Sequence, residues 1–174
     1  SDIKRKQISS DKSINNITII GSEAYLSCGF GIVVVNLQKK EIKDTYIIGN
    51  GGTFLTVNDV ETDGSFIYAA TNKGIFKAEK NGVNLLDYNN WKRDEDIPFS
   101  DSKFSQLANH AGKIIANYPP DEWDKDQLFL LNGTVWESYM PQIRYVFDMQ
   151  VNGKYLSVAS REQVFVVNEQ YQLV

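Results

Sequence analysis

Short apolar segments alternate with polar turns along the whole chain, and several of the apolar segments are rich in β-branched residues, as at 32–35. Such residues favour strands, because their branched side chains pack well on a pleated surface. No stretch of the sequence shows the sustained spacing of apolar residues that an amphipathic helix requires. The pattern therefore predicts an all-β chain built from short strands.

The same order of segments occurs four times. Each copy has an apolar strand, a tight turn, a strand of small and aromatic residues, a third strand rich in Ile, Val or Phe, and a more polar fourth strand. The predicted repeats are approximately 14–52, 53–98, 99–142 and 143–174. The fourth strands are predicted at 41–48, 83–88, 134–139 and from 171 to the end, where the last repeat stops part-way into its outer strand.

A glycine marks the first turn of each repeat, and the four glycines are separated by 43, 48 and 41 residues: Gly21, Gly64, Gly112 and Gly153. Several turns carry Asn-Gly or Asp-Gly pairs, which permit the positive φ angles of two-residue hairpin turns. A period of about 40–45 residues with four strands per unit is the size of a β-propeller blade. The sequence thus predicts a partial β-propeller domain, 1–174, with about four four-stranded antiparallel blades, as a fragment of a longer protein.

An open arc of blades exposes the apolar faces of its two terminal blades. Four blades are few for a closed ring, so we expect these faces to contact the remaining blades of a parent protein. In isolation the chain is expected to self-associate as a homo-oligomer through the same faces.

The composition excludes several classes of partner and of metal site. Hydrophobic residues make up 42% of the 174 residues and charged residues 23%, which is typical of a folded domain. The formal net charge of −4 argues against a nucleic-acid partner, which requires a basic face. The single cysteine, Cys28, excludes an internal disulfide and a cysteine-based zinc site, and it is predicted to be a small buried residue.

One loop of the third repeat has an unusual composition, and its candidate ligand-binding residues are Tyr118, Asp121, Trp123, Asp124 and Asp126. Clustered carboxylates could hold calcium, but the stretch lacks the glycine and the distal glutamate of an EF-hand loop. An exposed tryptophan beside carboxylates could instead stack on a sugar ring. A solvated hairpin loop is the simpler interpretation, and the sequence leaves these alternatives open.

No residue pattern predicts catalysis, a metal site or a cofactor. His110, the only histidine, is expected to lie on the surface beside a turn, and no nucleophile is placed next to it by the sequence. Trp91, in the connection that ends the second repeat, is expected to be a packing anchor. The chain is therefore predicted not to be an enzyme.

Four strings carry a resemblance to known propellers: 24–36, 41–49, 67–78 and 84–91. They resemble the N-terminal propeller of the PorZ family of Bacteroidota, a component of the type IX secretion system. They are similar, less specifically, to the regulator propellers in the sensor ectodomains of hybrid two-component kinases. The resemblance is densest over residues 17–91.

The resemblance implies an exported protein, located at the outer-membrane surface or in the periplasm. It implies a non-catalytic scaffold that assists secretion and the attachment of cargo to anionic lipopolysaccharide. The implied partners are the remaining blades and the C-terminal domain of the parent protein, together with secretion-complex proteins or surface glycan. The alternative is a glycan-sensing ectodomain of a hybrid two-component regulator.

Overall fold

The computed structural model describes residues 11–174 and confirms the all-β propeller prediction, with four antiparallel sheets that follow one another along the chain as blades 1 to 4. Blades 1 to 3 have four strands each and blade 4 has three. The predicted outer strand of blade 4 contributes a single bridge, between Leu173 and Val167. Apart from two single turns of 3-10 helix, the described residues form no helix, so none of them forms a helical membrane span.

Each blade is a meander in which consecutive strands pair. Blade 1 contains β1 (Ile14–Ile20), β2 (Glu23–Cys28), β3 (Gly31–Asn36) and β4 (Glu41–Tyr46). Blade 2 contains β5 (Val57–Thr62), β6 (Phe66–Thr71), β7 (Gly74–Glu79) and β8 (Lys92–Arg93). Blade 3 contains β9 (Gln106–His110), β10 (Lys113–Tyr118), β11 (Gln127–Asn132) and β12 (Val135–Tyr139). Blade 4 contains β13 (Val146–Asn152), β14 (Tyr155–Ser160) and β15 (Val164–Val167).

The strand predicted at 83–88 is wrong, because the fourth strand of blade 2 is β8. The segment before it forms turns that are held by its own side chains. Asn84 Oδ1 accepts a hydrogen bond from the backbone N–H of Leu86, and Asp87 Oδ1 accepts one from that of Asn89. Short polar side chains that bond the nearby backbone in this way compete with a strand ladder.

The apolar core lies between successive blades. In β3, Ile32 and Val34 pack in the cluster shared with blade 2, whereas Val33 and Val35 pack on the opposite face of blade 1. Two further clusters fill the interfaces of blades 2 with 3 and 3 with 4. Burial on both faces explains why these central strands are continuously apolar rather than alternating.

Two glycines allow other backbone segments, the end of β4 and the connection between blades 2 and 3, to pass close to the start of a third strand. Gly31 and Gly74 begin β3 and β7 with φ angles of 146° and 107°. A Cβ atom at these positions would collide with the backbone oxygen of Tyr46 and of Ser100, respectively. Glycine is required there because it alone combines positive φ with no side chain.

The first strand of each blade lies on the inside of the arc. These four inner strands contact one another in the order β1, β5, β9 and β13. Their inward side chains therefore line one common surface, which is the first place to look for a site.

Candidate functional site

A groove of about 620 Å³ runs along the four inner strands. Its volume is in the range of small-molecule sites. Its polar lining consists of carboxamides, carboxylates and hydroxyls, namely Asn15, Asn16, Thr18, Asn58, Asp59, Glu61, Ser105, Gln106, Asp148 and Gln150. Of the residues that the structure describes, no lysine, arginine or histidine lines this groove.

Asp59 is the most deeply buried of the groove carboxylates, with 5% of its surface exposed. Its Oδ1 accepts hydrogen bonds from Asn16 Nδ2 at 2.6 Å, from Thr18 Oγ1 at 3.3 Å and from the Val60 N–H at 2.7 Å. Its Oδ2 accepts one from the Leu107 N–H at 2.8 Å. Because these donors belong to blades 1, 2 and 3, one side chain joins three blades.

Side-chain amides make further bonds between blades on the same surface. Asn15 Nδ2 donates to the Val57 carbonyl at 2.7 Å, and Asn58 Nδ2 donates to the Phe104 carbonyl at 2.6 Å. Gln106 Nε2 donates to the carbonyl of Phe147 in blade 4 at 2.7 Å. The polar groups of the groove thus serve mainly to hold neighbouring inner strands in register.

Glu61 supplies a pH-dependent contribution to stability. Burial raises the pKa of Glu61 above its ordinary value of 4.5, and the nearby Asp59 charge adds to the rise, while the Thr62 N–H opposes it. A raised pKa in the folded state stabilises the fold below the ordinary pKa, and this stabilisation is lost as the pH rises through the raised value.

We therefore expect wild-type protein to lose stability relative to Glu61→Gln as the pH rises from about 4.5, since the amide never ionises. Urea unfolding midpoints of both proteins between about pH 4 and pH 8 measure this difference. A difference that stays constant with pH would contradict the assignment.

Two of the five candidate residues that the sequence predicts in the loop of the third repeat make structural contacts with other parts of the fold. Tyr118 stacks on Phe99, with ring centroids 4.3 Å apart and planes inclined by 9°. Asp126 is 8% exposed and accepts hydrogen bonds from Asn117 Nδ2 and from the Val146 N–H, which joins blade 3 to blade 4. The structure therefore separates these two side chains from the exposed part of the loop.

The other three residues predicted in this loop lie nearer the solvent. Asp121 is exposed, and Asp124 is half-buried with a φ of 61°. Trp123 is 62% exposed, and the Arg161 guanidinium lies 4.4 Å from the centroid of its ring. The ring of Tyr145 is 6.1 Å from that of Trp123.

Sequence reasoning missed Tyr145, Phe147 and Arg161, which come from the blade 3–4 connection, from β13 and from the β14–β15 loop. The rings of Tyr145 and Phe147 meet at 4.9 Å with planes inclined by 67°. No local motif marks these residues, because only the stacking of blade 4 on blade 3 brings Tyr145 and Arg161 to the Trp123 ring.

The expectation for His110 was wrong, since this side chain is 1% exposed. Its Nε2 donates to the Asn168 carbonyl at 2.8 Å, and the Tyr171 hydroxyl donates to the His110 carbonyl at 2.7 Å. The histidine therefore joins β9 to the turn that follows β15. Cys28 is buried as predicted, and burial raises the pKa of its thiol, which disfavours the nucleophilic thiolate.

A metal centre finds no support in the part of the chain that the structure describes. Among residues 11–174, no three His, Cys, Asp or Glu side chains converge in an arrangement that could hold an ion. The acidic side chains of the 121–126 loop instead divide between solvent and the interface of blades 3 and 4.

Solved structures with the same architecture include a bacterial surface component, the extracellular domain of a two-component system and an enzyme. PorZ from Porphyromonas gingivalis, described as an essential bacterial surface component of the type IX secretion system, matches 93% of this chain with 17% identity and a TM-score of 0.70. The extracellular domain of a hybrid two-component system from B. thetaiotaomicron matches 97% of the chain with 11% identity and a TM-score of 0.60. An ancestral GH74 enzyme matches 94% with 12% identity and a TM-score of 0.56.

Identities this low establish the fold alone. The chain spans 20% of the PorZ chain, 25% of the two-component ectodomain and 24% of the enzyme. A comparison with curated protein sequences gives no significant match.

A family model gives the more specific result. The model of the N-terminal β-propeller domain of PorZ, a type IX secretion protein, matches residues 1–92. The match includes blades 1 and 2 up to the first residue of β8. Because it covers more than half of the 174 residues, the chain belongs to the PorZ N-terminal β-propeller family.

Proposed function

We propose that this chain is part of a non-catalytic surface scaffold of the type IX secretion system, which assists secretion and holds cargo at the cell surface through protein or glycan (lipopolysaccharide) contacts. The observation that carries the proposal is the family match over residues 1–92. The PorZ structure supports it, because PorZ itself is described as a surface component of that system.

The hydrogen bonds between inner strands support a scaffolding role. Asp59 joins blades 1, 2 and 3, and Gln106 joins blade 3 to blade 4. A scaffold whose neighbouring blades are held by such bonds keeps its loops in fixed relative positions, which lowers the entropic cost of binding a partner.

The parent protein is proposed to be longer and exported to the outer-membrane surface or the periplasm, with further blades and a C-terminal domain. In this arrangement another blade covers the apolar side chains that remain exposed in blades 1 and 4. Large apolar side chains lie exposed in both terminal blades, with Ile17 and Ile19 in β1 at 56% and 58%, where they also line the inner groove, and Val164 in β15 at 66%. A second copy of the chain is the alternative cover for these side chains.

The test of the scaffold role is an in-frame deletion of residues 11–174 from the parent gene. We expect cargo to be lost from the cell surface while the remaining parent protein stays detectable there by immunoblotting of intact, protease-treated cells. Unchanged cargo attachment in cells that carry the shortened protein would refute the scaffold role for this domain.

A second candidate function is a glycan-sensing ectodomain. The likeness to the extracellular domain of the B. thetaiotaomicron hybrid two-component system favours it. The gene sequence that follows residue 174 separates the two functions. A transmembrane helix and a histidine kinase there would establish the sensor, whereas a C-terminal secretion-signal domain would establish the scaffold.

A further inference from the structure

We propose that an aromatic surface formed by Trp123, Tyr145, Phe147 and Arg161, at the junction of blades 3 and 4, binds a saccharide by ring stacking. This inference rests on the proposed function in one respect, namely that the domain binds ligands rather than transforms them. It deepens that function by naming the site and the class of ligand.

Exposure distinguishes these aromatic rings from those of the core. Trp123 and Phe147 keep 62% and 56% of their surface exposed, although each contacts the ring of Tyr145, which lies between them. Adjacent exposed aromatic rings on a folded domain mark an interaction surface, because water contact with them is unfavourable. The apolar C–H faces of sugar rings are flat surfaces that suit such side chains.

Arg161 holds the tryptophan in place before any ligand arrives. Its guanidinium lies 4.4 Å from the Trp123 ring centroid, which is within the range of a cation–π contact. A ring that is already ordered loses less conformational entropy on binding than a freely rotating one. The loop around it is irregular, so this contact and the contact with the Tyr145 ring hold the orientation of the tryptophan.

Arg161 of the aromatic surface also lines a depression that carries polar groups of both signs. This depression, of about 210 Å³, is lined by Asp124, Gln142, Arg144, Ser160, Arg161, Glu162, Gln163 and Phe165. A second depression, of about 250 Å³, includes Lys125, Gln127, Ser138 and the same Arg144. Hydroxyl groups both donate and accept hydrogen bonds, so a lining of amides, hydroxyls, carboxylates and guanidinium groups suits a saccharide.

Other classes of ligand fit this surface less well. A nucleic acid requires a basic surface, but the formal net charge is −4 and the loop carries Asp121, Glu122 and Asp124. Peptides are usually bound along an unpaired strand edge or in an apolar groove. The surface proposed here is built from loop residues and one residue at the start of β13, which offers neither arrangement.

The test uses a printed array of defined neutral, amine-bearing and acidic oligosaccharides, followed by calorimetry with the strongest ligand. We expect Trp123→Ala and Phe147→Ala each to weaken binding about tenfold, which corresponds to about 1.4 kcal/mol, because each removes a ring on which the sugar stacks; Trp123→Phe should retain most of the affinity, since it keeps an aromatic face. Phe54→Ala is the matched control, since Phe54 is 45% exposed in the connection between β4 and β5.

Two outcomes would overturn the proposal: an absence of binding to every oligosaccharide by the folded wild-type chain, or equal affinities for wild type, Trp123→Ala and Phe147→Ala. Circular dichroism of each variant establishes that it is folded. The scaffold role is tested separately by the deletion in cells. If the deletion abolishes cargo attachment but Trp123→Ala binds saccharides as tightly as wild type, the aromatic binding site is refuted and the scaffold role is not.

Discussion

Replacement of Asp59 by alanine is expected to lower the free energy of unfolding by about 3 kcal/mol, because a buried acceptor shared by several donors is lost. The Leu107 N–H and the Asn16 amide, both bonded to this carboxylate, would be left without their acceptor. The Leu107 bond is the more costly loss, since it is buried. Urea unfolding followed by tryptophan fluorescence measures the change.

Asp148 provides the matched control, because it occupies the corresponding position on the inner strand of blade 4. Asp59 pairs with Ala70 and Asp148 pairs with Ala159, and in each strand the register shifts just before the aspartate. Asp148 is exposed and accepts one weak bond, from Gln150 at 3.4 Å. Asp148→Ala is therefore expected to change stability by no more than about 0.5 kcal/mol. Equal losses of unfolding free energy in both variants would show that the cross-blade bonds of Asp59 do not contribute to the stability of the fold.

The same contrast shows what the sequence could and could not predict. Four blades followed from features that are local in sequence, namely the glycine turns and the β-branched third strands. The different burial of Asp59 and Asp148 is not local, because blade 3 closes over Asp59 and supplies the Leu107 N–H. Equivalent positions in a repeat thus share backbone geometry without sharing an environment.

His110 was mispredicted for a related reason. A turn follows it directly, which normally places a polar residue at the surface. The residues that cover it, Asn168 and Tyr171, are 58 and 61 positions further along the chain. Only the stacking of the fourth blade on the third brings them into contact.

In the aromatic surface, too, only the feature that is local in sequence could be predicted. Trp123 could be identified from composition, since a tryptophan among carboxylates is unusual in a turn. Its partners Tyr145 and Arg161 lie in ordinary-looking loops and gain significance only through their contacts with its ring. Because the same fold occurs in a two-component system and in an enzyme, such loop surfaces, rather than the blades, distinguish one propeller from another.

The second large effect is expected for Trp91→Ala, which should cost about 4 kcal/mol, as is typical when a buried tryptophan is truncated. Trp91 is 1% exposed and packs in the cluster between blades 1 and 2, with its ring centroid 6.0 Å from that of Tyr46. Its Nε1–H donates to the Leu85 carbonyl at 3.0 Å. Truncation therefore opens a cavity at the interface and removes the bond that orders the 84–91 turn.

The chain carries its own control for this substitution, because Trp123 is the same residue type in an exposed position. Trp123→Ala removes the same atoms but leaves no enclosed cavity, so its effect on unfolding should stay within about 0.5 kcal/mol. The two substitutions should thus have different effects. Trp91→Ala lowers the free energy of unfolding, whereas Trp123→Ala lowers the affinity for saccharide and leaves the free energy of unfolding unchanged. A destabilisation by Trp123→Ala as large as that by Trp91→Ala would mean that the exposed ring is a structural element, and that its contacts with Tyr145 and Arg161 serve the fold rather than a ligand.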